Sequence, residues 1–277
     1  MRVERIAYLI SFLLTFFIIV YVIITVIGIP RPLEYIQPTP PIPSKNLTIV
    51  IGNTVLLPPP RKMTNISVEE AILLRRSIRE YTEDPIPIDH LSMILWAAYG
   101  ITETRWGLRA APSAGATYPL EIYVVIGRNG VSIGSEFLDA GVYKYDPHRH
   151  ILTLVKSGDV REELYVAALR QEWVRNAPVN IVIFAVFERT TRVYGYRGEV
   201  RYVPMEVGHV GQNIYLIATA LGYGCVVIGA FYDDEVSRVI GAQRDEVPMY
   251  IVPIGVPKHP YRVSFEDIER YIESMRG

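Results

Sequence analysis

Residues 6–29, IAYLISFLLTFFIIVYVIITVIGI, carry no charged side chain. A helix rises about 1.5 Å per residue, so roughly 20 apolar residues cross a bilayer core. The run is longer than a signal-peptide core, and no small-x-small cleavage site follows it. It reads as a retained single-pass anchor occupying residues 1–29. Arg2 and Arg5 precede the run and Arg31 follows it, which favours a cytoplasmic amino terminus. On that reading the chain sits in the cell membrane with an extracytoplasmic body. The sequons Asn46-Leu47-Thr48 and Asn65-Ile66-Ser67 suit that side. Nine of the 20 prolines fall between Pro30 and Pro60, so residues 30–63 read as an extended linker. Residues 64–277 are then one domain.

The net charge of −1 gives no bulk attraction to nucleic acid or anionic lipid. A lone cysteine excludes an intramolecular disulfide framework and a thiolate zinc cluster. Cys225 lies in the apolar run GCVVIGAF and reads as a buried structural thiol.

Within the body, Ser67-Val68-Glu69-Glu70 is a capping box, which predicts a helix from 68 through Arg76. The segment 77–82 reads as extended, and Asp89 as the cap of a second helix stopped by Gly100. EIYVVIG (121–127) is an apolar strand. VYKYD and HILTLV form a hairpin around Pro147-His148-Arg149, with His148 and His150 as exposed turn residues. A helix over 160–173, a buried strand over 180–187 and a long helix over 206–221 follow. After them come a strand at CVVIG, a helix from Asp233, a strand at MYIVPIG and a helix over 264–275. The order predicts an α+β fold, a central mixed sheet with helices on both sides, preceded by the membrane helix.

Four places carry chemistry. In LLRRSIREYT, an extended backbone sets Arg75, Ser77 and Arg79 on one side, and a helical one still pairs Arg75 with Arg79. Two guanidiniums and a hydroxyl suit a phosphate monoester. They also suit a solvated helix end paired with Glu69, Glu80 or Glu83. The loop Ala111 to Pro119, APSAGATYP, offers small residues for close backbone approach and the hydroxyls of Ser113 and Thr117. On the 206–221 helix, Glu206, His209 and Asn213 share a face with Gln212 beside them. No metal-binding spacing supports a metal site there. Gly208 and Gly211 weaken that helix unless something packs close to it. Finally, Gly229-Ala230 ends a strand with free amides, a clamp for ring carbonyls. Neither a dinucleotide fingerprint, a P-loop nor G-x-S-x-G is present.

R-x-S-x-R at 75–79, PSAGATYP at 112–119, GHVGQN-IYLIATALGYG at 208–224 and VIGAF at 227–231 together resemble the nitroreductase family of flavoproteins. The likeness covers roughly 67–258 and is nearest to the SagB-type dehydrogenase branch, which includes azoline oxidases. It implies a nitroreductase-like fold, FMN as cofactor, and a homodimer with flavin at the subunit interface. Arg75, Ser77 and Arg79 would hold the FMN phosphate, with Lys258 or Arg262 assisting. Pro112, Ser113, Ala114 and Gly115 would lie against the ring, joined by Gln212, Gly229 and Ala230. Ping-pong hydride transfer follows, from NAD(P)H or a quinol to a second small molecule, with Tyr194 handling protons beside Arg197 and Arg201. Azoline-oxidising members are expected to carry Lys-Tyr where this chain has Val193-Tyr194. The alternative is a non-catalytic flavin-binding or assembly subunit with the same fold.

Overall fold

The computed structural model describes residues 50–277 together with Thr15, Phe17 and Ile18. The expected membrane anchor and the linker up to residue 49 otherwise lie outside the described residues. Among the described residues no helix is long and apolar enough to cross a membrane. The chain divides into two compact units, residues 1–34 with 263–277, and residues 35–262.

The larger unit is built on eight strands: β1 (Val50–Ile51), β2 (Thr54–Leu56), β3 (Leu120–Ile126), β4 (Gly141–Asp146), β5 (Ile151–Ser157), β6 (Val179–Ala185), β7 (Gly224–Cys225) and β8 (Val247–Gly255). Their order is β1-β2-β5-β4-β3-β6-β8-β7, and every neighbouring pair is antiparallel. The expected mixed sheet is therefore an antiparallel one. The strand expected at CVVIG is two residues of β7, after which only Ile228 bridges back to Ile251.

The helices are α1 (Val68–Leu74), α2 (Ile88–Tyr99), α3 (Arg161–Ala167), α4 (Glu172–Asn176), α5 (Glu188–Tyr194), α6 (Val203–Ala220) and α7 (Asp233–Ile240). Alternation along β3 and β6 divides the core. Leu120, Ile122, Val124 and Ile126 join Ile181 and Ile183 in packing against α2 and α6. Tyr123, Val125 and Phe184 face Leu164 of α3 and Val236 of α7 on the other side. Each such aliphatic side chain contributes about 1.5–3 kcal/mol on burial. Helices on both faces were expected, and both faces are covered.

Local differences have local causes. α1 stops at Leu74, because Arg75 has already turned to extended backbone (φ −57, ψ 124). Asp89 does not cap α2, which begins at Ile88 after Pro87; its carboxylate is taken by Arg61 at 3.0 Å. The single helix expected over 160–173 is two, broken where Leu169 and Arg170 adopt positive φ. Part of the expected linker belongs to the sheet: β1 and β2 form a hairpin that extends β5. His150 is not a free turn residue. It is half-buried, lies 2.7 Å from Ser92 and 3.1 Å from the Pro58 carbonyl through Nε2, and 2.8 Å from the Tyr145 hydroxyl through Nδ1.

In the smaller unit, Ser264 caps α8 (Phe265–Arg276) through a capping box with Asp267. Phe265, Ile268, Ile272 and Met275 form an exposed apolar stripe along it.

Candidate active site

The arginine cluster is set by the end of α1. From Arg75 the backbone is extended, and residues 77–82 run first beside β7, with Ser77 bridging Cys225, and then beside the end of β8, with Tyr81 bridging Pro257. Arg76 turns away. Its guanidinium donates to the carbonyls of Leu73 and Arg75 at 3.0 and 2.6 Å and stacks on Tyr261 at 4.0 Å. Arg75 and Ser77 converge on Tyr215 of α6. The guanidinium lies 5.0 Å from its ring, and Ser77 Oγ is 2.8 Å from its hydroxyl. Arg79 stands over Trp173 at 5.3 Å. No carboxylate among the described residues pairs with Arg75 or Arg79. The alternative pairing with Glu69, Glu80 or Glu83 is thus not formed.

The Tyr215 hydroxyl also accepts the Val227 N–H at 3.0 Å, which ties the arginine cluster to the segment after β7. Gly229 and Ala230 follow and are exposed. Neither N–H meets an acceptor among the described residues, while the Ala230 carbonyl is held by Gln171 at 2.8 Å. Gln212 is exposed near the same α6 face as Tyr215. Gly208 is half-buried there, and a Cβ on it would meet nothing within 4 Å; at Gly211 a Cβ would lie 3.3 Å from the Tyr250 ring. Sequence reasoning missed Tyr215. A hydroxyl inside the apolar run IYLIATAL needs a partner, and that was the available signal.

The loop 112–118 is strained. Gly115, Ala116 and Tyr118 have φ of 59, 50 and 45. Such backbone costs about 1–3 kcal/mol per non-glycine residue and persists only where neighbours enforce it. Here Thr117 Oγ1 lies 2.8 Å from Thr190 Oγ1, the Tyr118 N–H donates to Ser113 Oγ at 2.9 Å, and Arg189 donates to the Tyr118 carbonyl at 3.1 Å. Tyr194, at the end of α5, packs on this loop. A Cβ on Gly115 would fall 2.6 Å from its hydroxyl, and its ring meets Tyr202 edge-on at 4.9 Å. Tyr194 and the loop are thus together; Pro112 and Gly115 are exposed and Ser113 and Ala114 half-buried.

The trio expected on one face of α6 does not act as a set. Glu206 is buried, His209 is exposed, and Asn213 donates to the carbonyls of Ala97 and Ala110 at 3.0 and 3.4 Å. Lys258 donates its backbone N–H to the Glu80 carbonyl at 3.0 Å. Its side chain lines a cavity of about 540 Å³ with Arg128, Arg161 and Arg175 that includes none of Arg75, Ser77 and Arg79. Arg262 is exposed. Burial pushes the Cys225 thiol far up, as a structural role requires.

The two clusters are not neighbours. Tyr215, on which Arg75 and Ser77 converge, and Glu206, which bonds Tyr99 where Tyr99 meets Tyr118 of the loop, are nine residues apart on α6. That is two and a half turns, so they face opposite ways and stand about 14 Å apart along the axis.

An antiparallel sheet covered by helices on both faces thus carries Arg75, Ser77 and Arg79 without carboxylate partners, tied through Tyr215 to the segment that leads to Gly229 and Ala230. The chain belongs to the nitroreductase family, whose model matches residues 72–256. It is 47% identical over 205 residues to protein MJ1384 of Methanocaldococcus jannaschii, named as a nitroreductase, covering 74% of this chain and 98% of that one. A Ralstonia eutropha JMP134 crystal structure, also described as a nitroreductase, superposes with a TM-score of 0.65 at 26% identity, over 83% of this chain and 98% of that one. An NADPH:FMN oxidoreductase from Vibrio harveyi, solved with NAD+, shares the fold at 19% identity with a TM-score of 0.50, over 76% and 84%.

Proposed function

We propose that this protein is an FMN-dependent oxidoreductase whose two flavin sites each combine one chain's arginine cluster with the partner chain's 112–115 loop. The observation that carries it is the donor set. Arg75, Ser77 and Arg79 have aromatic and hydroxyl partners but no carboxylate, which leaves their charge for an anion the size of a phosphate monoester. The exposed N–H groups of Gly229 and Ala230 add donors for ring carbonyls. Because the loop lies on the opposite face of α6, a second copy is the economical source of the other wall. Gly208, with open space before it, gives that copy a place to approach. These residues therefore fit FMN.

When bound, FMN supplies ping-pong hydride transfer between two substrates. The chain's own part is to hold the phosphate through Arg75, Ser77 and Arg79, to orient the ring through Gly229, Ala230 and Gln212, and to shield it with Pro112 to Gly115. Tyr194, against Gly115, places a phenol where a proton is exchanged. Val193 in place of lysine removes the base that azoline oxidation needs, so a general reductase fed by NAD(P)H or a quinol is favoured over the SagB-type reaction.

Arg75→Ala with Arg79→Ala tests the reading. Each charge-assisted bond is worth about 1.5–3 kcal/mol, so the pair should lower FMN affinity by about 100-fold or more. Flavin fluorescence titration reads this directly. Undiminished affinity overturns the assignment, and FMN that binds without ever being reduced points to a non-catalytic subunit.

A further inference from the structure

Arg109, on the short strand Leu108–Arg109, has no part in the flavin reading and no polar partner. Its guanidinium is stacked between the rings of Tyr99 and Tyr118 at 4.3 and 4.5 Å. Its Nε is buried and unbonded, and no carboxylate among the described residues pairs with it. Arg61 shares the unbonded Nε, yet it gives Nη2 to Asp89 at 3.0 Å. Glu206 feels the Arg109 charge, but its bond is to the Tyr99 hydroxyl at 2.5 Å. Ring faces attract the flat face of a guanidinium and leave its N–H groups, which lie in the plane, without acceptors. A half-buried cation in that state is stabilised by an anion placed at its edge.

Arg109 lines a cavity of about 480 Å³ at the end of the sheet where β3 begins and β4 ends, within the size range of small-molecule sites. Tyr99, Tyr145, Leu120 and Ile122 give it apolar walls. The Tyr99 hydroxyl is taken by Glu206, and the Tyr145 hydroxyl lies 2.8 Å from His150 Nδ1. The other lining charges are engaged as well. Lys144 pairs with Glu121 and Glu246 at 3.1 and 2.6 Å, Glu121 also with Arg189, and Asp146 accepts the His148 and Arg149 N–H groups at 2.9 and 3.1 Å. Arg109 is thus the lining cation left without a partner. One planar fork of donors matches the two oxygens of a single carboxylate, and Asp146 disfavours a more highly charged anion. We propose that this cavity binds a small organic acid, its one carboxylate held by Arg109 and its aromatic or aliphatic body lying against Tyr145, Leu120 and Ile122. The site includes none of Arg75, Ser77, Arg79 and residues 112–115, so it does not rest on the flavin reading.

Isothermal titration of the full chain with phenylacetate, and with phenylacetamide as its uncharged counterpart, tests the site. Phenylacetate should bind once per chain and about tenfold or more tighter than the amide, as a charge-assisted pair implies. Arg109→Gln should erase that preference. Thr153→Trp, at an exposed position lining the cavity, fills the space and keeps Arg109, and it should weaken phenylacetate about tenfold or more. No binding by wild type, equal affinity for the two probes, or a preference that survives Arg109→Gln overturns the site. Should Arg109→Gln fail to fold, Thr153→Trp decides, and undiminished phenylacetate affinity overturns the site. Flavin absorbance of the same samples keeps the two readings apart: a flavin-free chain that binds phenylacetate through Arg109 upholds this site and counts against the flavin reading alone.

Discussion

Tyr215 is the residue on which the arginine cluster depends. Its hydroxyl joins Ser77 at 2.8 Å to the Val227 amide at 3.0 Å, and its ring supports Arg75. Tyr215→Phe keeps the ring and removes both bonds, leaving the Val227 N–H unpaired at a cost of about 1–3 kcal/mol. Flavin affinity should fall about tenfold, corresponding to about 1.4 kcal/mol, with little change in secondary structure. Isothermal titration with FMN checks it, and wild-type affinity would remove Tyr215 from the site. At this scale the sequence was legible where side chains act by type. Arg75 and Ser77 meet the same ring, as the alternation of an extended backbone predicts, whereas Arg79 stands over Trp173. Tyr215 was not legible, because its partners are 138 and 12 residues away along the chain.

At the scale of elements, α6 carries both clusters, and its two central glycines differ. A Cβ at Gly211 would crowd the Tyr250 ring at 3.3 Å, whereas Gly208 faces open space. Gly208→Ala should therefore stabilise the flavin-free chain by about 1 kcal/mol through helix propensity alone. If a second copy packs there, the same change weakens self-association in analytical ultracentrifugation; unaltered association would place the interface elsewhere. The 57–58 segment is fastened to α2 and β5 through His150. Burial holds that imidazole below its ordinary range, with the Pro58 carbonyl opposing. Its folded-state pKa is depressed, so the unfolded chain binds the proton more readily. The His150 contribution is complete above about pH 6.5 and is lost as pH falls below that value. Urea midpoints should drop between pH 7 and 5 in wild type and less in His150→Asn. Capping boxes at Ser67 and Ser264 were readable because they are local. The Asp89 cap and the 160–173 helix were misread, since Arg61 and a backbone reversal at Leu169 and Arg170 intervene.

For the whole molecule, the separation of the two clusters across α6 makes a prediction that no single residue makes. A chain with Arg75→Ala and Arg79→Ala lacks a phosphate grip, and one with Gly115→Leu has its loop blocked by Tyr194. Neither should hold flavin alone. In a mixed dimer the intact loop of the first chain meets the intact arginine cluster of the second, so one site of the two is restored. Differently tagged chains, co-expressed and purified through both tags, should carry about half the wild-type flavin. A mixed dimer without flavin would mean that each site lies within one chain.

By itself the sequence determined what short-range chemistry encodes: which runs are apolar enough for strands, where helices start at capping boxes, and that a run of arginines precedes a small-residue loop. It also carries the charge-free run 6–29, whose reading as an anchor rests on hydropathy. Only the tertiary structure decided that the sheet is antiparallel throughout, since strand direction depends on connections between segments far apart in sequence. Tertiary structure alone also placed Tyr215 against Arg75 and Ser77, buried Glu206 against Tyr99, and set Tyr215 and Glu206 on opposite faces of one helix. Those relations are distances between remote segments, which packing of the folded chain fixes and local sequence does not encode.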